Sequence, residues 1–550
     1  MNFNSIKQKF RIASSLCLSG VMGAAACNTA ASYHKNHSHA GVRDADIARG
    51  EVLAAKYCQS CHMLPSPGLL DAVTWEKGVL PAMGPRLGIF EYMHQRYPEN
   101  SQDPNVGRAF YPSQPVMTPE EWGDIITYYT VLAPDSLEVP SRAEALAPDT
   151  ARFRIVVPKT AVAAVSGDEG QSWPAAGSGN GGASPPATCF IQYDSGLHQV
   201  MTSDILTHGF SRWDRGLRPL PGATIAGAVV SMVQNPAERL VCNIGAFQPN
   251  NAKAGFVGRW APGTPSAAPV FVEVSKDLMR PVCIAEADLN GDGRKDIVVC
   301  EFGYIKGMLS WLENRGDGSY EKHVLRDMPG AIRVVIDDNN QDGLPDIWVL
   351  FAQGEEGIFL YTNKGGGRFA EQEVLRFPPC YGSTYFELTD LNGDGRKDIL
   401  YTSGDNGDFS TVLKPYHGVY VFLNEGSDHF RQVYFFPLNG AYRAMSVDLD
   451  RDGLPDIAAI AYFADYSHHP EEGFVYLHNK GGLHFDAHTV PGTEVGRWIT
   501  MDVGDMDGDG WPDVLLANCS VGPVFNKGSV DWKKGPPFVM LKNRGPIEGE

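Results

Sequence analysis

The chain has 550 residues, 43% of them hydrophobic, which is too long for one ordinary domain and too apolar for disorder throughout. Its formal charge of −19 excludes nucleic acid as the main partner, because phosphate binding needs a basic face. Sixty Gly and 38 Pro, without a collagen period, suit an all-β protein with many turns, and ten Cys do not make a disulfide scaffold.

At the N-terminus, Lys7, Lys9 and Arg11 precede an apolar, small-residue stretch from Ile12 to Ala26, the pattern of an export signal and too short for a membrane span. It ends in Ala24-Ala25-Ala26-Cys27. Small residues before a Cys resemble a bacterial lipoprotein box, although Ala24 stands where such boxes usually carry Leu. The resemblance implies a lipid on Cys27 as the chain's only membrane contact, and a place in the periplasm or at the cell surface. Residues 1–27 are thus read as signal and 28–43 as a tether, with His34, His37 and His39 as solvated residues of that tether.

Cys58-Gln59-Ser60-Cys61-His62 is the one short motif that names a chemistry. Two thiols three positions apart can bond both vinyl groups of a haem, and the following His is then placed under the iron. A zinc reading needs a second ligand pair at comparable spacing, and none follows nearby. Residues 46–57 read as a helix in which Gly50 lets another helix cross closely, and Thr118-Pro119-Glu120-Glu121 is a capping box opening a second helix through Trp122, Ile125, Ile126, Tyr129 and Leu132. Two helices enclosing such a motif resemble a class I cytochrome c over residues 44–135, with Ala54 where many members carry an aromatic residue. The resemblance implies a small all-α domain holding one covalent haem c through Cys58, Cys61 and His62. Met83, in a segment similar to one found in some bacterial cytochrome modules, and Met117, just before the last helix, are the leading alternatives for the sixth ligand, ahead of Met63, Met93, His94 or an open site. Met117 also has an apolar staple to provide.

From residue 288 onward a unit D-x-[ND]-x-D-G-x-x-D recurs every 50–58 residues. Its five copies are Asp288-Asn290-Asp292-Asp296, Asp338-Asn340-Asp342-Asp346, Asp390-Asn392-Asp394-Asp398, Asp448-Asp450-Asp452-Asp456 and Asp505-Asp507-Asp509-Asp513. Oxygens at alternate positions can converge on one hard cation, and Gly at the sixth position permits the bend. An EF-hand is excluded, since Val299 stands at loop position twelve of the first copy and the flanks are strand-like. About five Ca2+ would bring the charge of −19 to about −9. A hairpin with an Asn-Gly-type turn and a following aromatic (Tyr320, Phe369, Phe430, Phe485) completes each of the first four units, giving four strands per unit, the size of a propeller blade.

These repeats resemble the FG-GAP/VCBS family, whose members form β-propellers with calcium loops between blade strands. Two weaker units, 188–214 and 222–260, lack the acidic ligands and bring the count to seven blades over residues 188–550. Residues 136–187 then form a linker, Gly/Ser/Pro-rich from Ser166 to Pro186, in which Phe153-Arg154-Ile155-Val156-Val157 can close the ring.

Among smaller signals, Arg315-Gly316-Asp317 is read as part of a turn, Cys283 and Cys300 as facing thiols or a disulfide, and Asn243, Glu301, Asp405, Asp465 and Asn518 as near the ends of innermost strands. No hydrolase, zincin, phosphate-loop or dinucleotide motif appears. The resulting expectation is a multidomain exported electron-transfer protein: haem in front, and behind it a calcium propeller that docks a redox partner protein, another protein or a polysaccharide. Its rivals are an oxidoreductase with substrate in the propeller channel, and a surface-binding protein with a vestigial haem unit.

Overall fold

The computed structural model describes residues 33–138, 142, 145–159, 184–263, 267–407, 412–524 and 528–546. The expected signal, Cys27, and most of the Gly/Ser/Pro-rich run lie outside the described residues. Seven antiparallel sheets form a seven-bladed β-propeller: residues 188–224, 229–278, 281–326, 331–376, 383–437, 441–489, and a last blade of Trp498–Gly504, Asp513–Asn518, Phe538–Asn543 and Phe153–Val156. In blades three to seven the second strands, such as Asp296–Glu301 and Asp456–Ala461, are buried at every position. Each is sandwiched by the neighbouring blades on both faces, which is why it reads as a continuous apolar run rather than an alternation. The fourth strands, such as Tyr320–Arg326, are solvated at the rim and mix charge with apolar residues.

The ring closes as the sequence suggests. Phe153–Val156 pairs antiparallel with Phe538–Asn543, so the two ends of the propeller sequence meet in one blade. Phe153 is buried in the core between blades six and seven, edge-on to Tyr476 at 5.6 Å. The same segment adds Ala147–Pro148 as a parallel edge strand on blade six. Within the expected 136–187 linker, Ala147–Pro148 and Phe153–Val156 are thus blade strands, the second filling an edge that a three-stranded last blade would leave unpaired.

The N-terminal unit is less regular than the all-α domain expected. Two 14-residue helices, Asp44–Tyr57 and Pro119–Leu132, are joined by short helical turns and a two-stranded hairpin of Glu91–Tyr92 and Gln95–Arg96. The helices cross at Gly50, where a Cβ would lie 2.1 Å from the Asp124 carbonyl oxygen, so a side chain there would force them apart. Thr118 and Glu121 form the reciprocal capping box. The tether reading fails for residues 33–43. Asn36 donates through Nδ2 to the carbonyls of Thr130 and Ala133, both at 2.8 Å, satisfying helix-end acceptors that would otherwise lack partners.

Because each blade is an up-and-down meander, the acidic loops and the third-to-fourth-strand turns lie on one face of the ring, and the remaining connections on the other. The N-terminal unit sits on that second face. Asn251 donates to Asp103 (2.8 Å), the Tyr416 hydroxyl donates to the Leu69 carbonyl (2.9 Å), and Cys380 packs against the unit's apolar core. Among the described residues no helix is long and apolar enough to cross a membrane.

Closure by residue 153 gives a direct expectation. Phe153→Ala should lower the stability of the propeller by about 3 kcal/mol in urea unfolding, the usual effect of deleting a buried ring. A loss below about 1 kcal/mol would mean that the strand is dispensable.

Candidate functional site

The five acidic loops share one construction. The first Asp accepts from the turn's own amides: Asp288 takes Gly291 at 2.8 Å and Gly293 at 2.8 Å, and Asp390 takes Gly393 and Gly395 in the same way. The sixth-position glycines all have positive φ, from +83° at Gly293 to +91° at Gly510, a conformation that side chains resist. The last Asp of each loop is buried and does something else. One of its oxygens accepts the amide of the residue that follows the loop's first Asp, and the other accepts the amide of the third-strand Asn. Asp398 does this with Leu391 (3.0 Å) and Asn424 (2.9 Å), and Asp513 with Met506 (3.1 Å) and Asn543 (2.8 Å). Asp296, Asp346 and Asp456 repeat it with Asn314, Asn363 and Asn479. These five, expected only as metal ligands, are latches between three strands, although each oxygen keeps a lone pair for a cation.

The remaining oxygens are crowded. Carboxylates of Asp448, Asp450 and Asp456, and of Asp505, Asp507 and Asp509, lie within 4.8 Å of one another. Burial, followed by like charge nearby, pushes Asp456 up to about 6 and Asp513 up to about 7. The donor set, all oxygen with a cost to leaving the charge uncompensated, fits a hard divalent cation. What sequence reading missed is the residue before each third-strand Asn. There Glu313 receives a bond from Asn290 (3.3 Å), His478 Nε2 lies 2.7 Å from Asp450, and Lys542 touches Asp507 and Asp509.

Blade one solves the same problem without acidic crowding. Asp194 is fully buried and pairs with the Arg239 guanidinium of blade two, through Nη2 at 2.8 Å and through Nε. A guanidinium thus stands where the other blades gather oxygens, a reason for the absence of the acidic motif there.

In the N-terminal unit, Cys58 is half-buried at the end of the first helix and Cys61 is exposed beyond the turn Cys58–Ser60. Desolvation pushes the Cys58 thiol up to about 11. His62 Nδ1 lies 2.8 Å from the Met63 carbonyl; donation there leaves Nε2 free as an acceptor or ligand. Cys58 and Met83 pack, half-buried, against the apolar cluster that contains buried Met117. Met117 is thus part of the apolar core against which Cys58 and Met83 pack. Arg86 is exposed and lies over the Phe110 ring at 4.5 Å; desolvation lowers its pKa, against the opposing influence of Tyr111, Cys61 and Tyr304 of propeller blade three. Two thiols, a His with a free Nε2, an apolar cluster, methionines and a nearby cation are a set that fits a covalent haem with its carboxylates.

The innermost strands are those before the acidic loops, which corrects the sequence assignment. Asn243, Glu301, Asp405, Asp465 and Asn518 lie at or beyond second-strand ends, and they brace loops instead of ringing the channel. Glu301 accepts from Met279 N (2.9 Å), and Asn518 donates to Trp532 O (3.1 Å). The axis is lined instead by Arg333 and Arg443, each 4.8 Å from the Tyr385 ring, with Glu387 and Asp502 one layer deeper. Asp502 of blade seven feels Arg333 of blade four, so these groups meet across the ring. Cys283 and Cys300 do face each other, in direct register and as free thiols. A bond from Cys300, ahead of the charge of Arg333, lowers the Cys283 thiol below the usual thiol range. Arg315-Gly316-Asp317 is a turn whose charges are used locally, Arg315 on Glu313 (2.7 Å) and Asp317 on Ser319 (2.8 Å).

Comparison with known proteins agrees with the repeat reading. The FG-GAP-like repeat model matches residues 288–349, 338–401 and 448–516. Integrin alpha-3 of Cricetulus griseus is 27% identical over 176 residues, 30% of this chain and 17% of the integrin, so the chain spans a small part of that relative. Solved structures similar in fold include an ancestral GH74 enzyme (10% identity, TM-score 0.44, 67% of this chain and 49% of that one) and a protein from Lactobacillus plantarum (12% identity, TM-score 0.37, 65% and 98%). The chain thus carries FG-GAP repeats in a seven-bladed propeller.

On the face that carries the N-terminal unit, Glu356 is buried and accepts from Ser383 N (3.0 Å) and Ser383 Oγ (2.7 Å), and burial raises it to about 7. A carboxyl raised on folding holds its proton better in the folded state. Stability should therefore be greatest below the unfolded value near 4.5 and fall as pH rises toward about 7. Glu356→Gln should flatten that segment of the stability–pH curve, as measured by urea midpoints from pH 4.5 to 7.5; an unchanged slope would refute the assignment.

Proposed function

We propose that this is an exported electron-transfer protein in which a c-type haem unit is seated on a calcium-stabilised propeller. The observation that carries it is the Cys58-Gln59-Ser60-Cys61-His62 motif at the end of the first helix, with Cys58 and Met83 packed against one apolar cluster. Cys58 and Cys61 would hold the group through thioether bonds, His62 would ligate through Nε2, and Met83 or Met117 would be the other protein ligand. The haem would supply one-electron exchange; the chain's part is to exclude water with the apolar cluster around Trp122 and Tyr129 and to set a cation, Arg86, beside it. The loops built on Asp288, Asp338, Asp390, Asp448 and Asp505 would take calcium and stiffen the blades. Export through residues 1–27 and a lipid on Cys27 would place the protein in the periplasm or at the cell surface. A propeller that docks a redox partner or another protein agrees with the stretch similar to integrin alpha-3.

A second reading has one observation in its favour. The layer of Arg333, Tyr385 and Arg443, above Glu387 and Asp502, gives the channel converging charged groups suited to a small polar substrate whose electrons pass to the haem.

The test is the absorption spectrum, oxidised and reduced and with CO, of protein matured with the c-type haem machinery, repeated on Met83→Ala and Met117→Ala. Electron transfer predicts a low-spin haem indifferent to CO, with that character lost in one of the two variants. A high-spin wild type that binds CO would favour the substrate reading, and no covalent haem would overturn both.

A further inference from the structure

Outside the acidic loops, one position near them changes chemistry from blade to blade, the residue that precedes the third-strand Asn. It is Glu313, Thr362, Leu423, His478 and Lys542 in blades three to seven. This residue stands over the tip of the loop. Where it is long and polar it reaches the loop residues: Glu313 to Asn290, Lys542 to Asp507 and Asp509, and His478 to Asp450. In blade six it therefore adds a nitrogen to an oxygen site. His478 Nε2 and carboxylate oxygens of Asp450 and Asp452 lie within 4.8 Å of one another, beside the cluster of Asp448, Asp450 and Asp456. His478 is only 12% exposed and Asp450 20%, so the ring is held by its surroundings, while Asp452 is open to solvent and leaves a way in.

The geometry points to a transition-metal site in blade six: Asp450, Asp452 and His478 bind a borderline divalent ion of the zinc type where the other loops take calcium. Calcium seeks six to eight oxygen ligands and gains little from an imidazole, whereas zinc pairs His nitrogen with carboxylate oxygen at low coordination number. Glu313 keeps its blade an oxygen site, Thr362 and Leu423 bring no charge, and Lys542 brings an ammonium into direct contact with Asp507 and Asp509 that competes with any cation; in blade six the Arg152 guanidinium stays farther off, 3.8 Å from Asp450. The inference rests on the proposed reading of the loops as cation sites, and it assigns one of them a different ion.

The test is equilibrium dialysis of the full chain against calcium in large excess over zinc, with both metals counted by mass spectrometry, for wild type, His478→Gln and His478→Glu. Wild type should retain one zinc that His478→Gln loses, with an affinity lower by on the order of tenfold or more. His478→Glu, all oxygen again, should exchange that zinc for one additional calcium, which guards against reading a misfolded variant as a lost ligand. Equal zinc in wild type and His478→Gln, or calcium in all the loops of wild type, would overturn the zinc site and leave the loop reading intact. No metal retained at any loop would overturn the loop reading itself.

Discussion

The propeller depends on a buried carboxylate used five times in the same way. Asp296, Asp346, Asp398, Asp456 and Asp513 sit at the start of the second strand and accept two backbone amides each, one from their own loop and one from the third-strand Asn. A hydrogen bond to a charged group is worth roughly 1.5–3 kcal/mol, more than a neutral one. Placed at the top of a strand with no exposed residue, the latch fixes the register of three strands before side-chain packing adds to it. The Asn completes the joint by donating to neighbouring carbonyls. Asn363 reaches Leu289 and Asn543 reaches Leu449, in earlier blades, so the latch also ties blade to blade.

That joint explains how much of the molecule is legible in the sequence. The Asp and Gly positions recur at fixed offsets within each loop, with an Asn on the third strand 17 to 30 residues after the last Asp, so loop class and five of the blades can be read from them. Blade one is hard to see because its buried Asp194 has been given Arg239 as partner, and an ion pair leaves no periodic signature. The channel lining escapes for a different reason. Arg333, Tyr385 and Arg443 occupy equivalent positions of successive innermost strands, and only ring closure brings them together. Assigning the innermost strand one place too late put Asn243, Glu301 and Asn518 near innermost-strand ends, whereas they are loop braces at second-strand ends. In the N-terminal unit the motif, the cap and the helix crossing at Gly50 are local and therefore readable. The docking of residues 33–43 is not, since it rests on scattered single contacts such as those of Asn36 and Ser38 at the end of the last helix.

The two faces of the ring divide the work. Acidic loops and latches occupy one face, where charge is compensated and strands are registered. The other face carries the second-to-third-strand and blade-to-blade connections, and these meet the N-terminal unit through Asn251, Tyr416 and Cys380. Fully buried second strands thus link the acidic face to the face that carries the Cys58–His62 unit. A proposed redox centre held in this way would keep a fixed orientation toward whatever enters the channel or docks at the rim.

The measurement that separates latch from cation is urea unfolding of Asp398→Ala and Asp394→Ala in the presence of a chelator. Asp394 lies at the solvent-exposed tip of the loop and Asp398 in the joint. If the buried carboxylate organises the blade by itself, Asp398→Ala costs about 3 kcal/mol without any metal, because two buried amides lose their acceptor, and Asp394→Ala costs little. Equal and small losses in the two variants under chelation would contradict the account and make the bound cation, not the latch, the organiser of the blades.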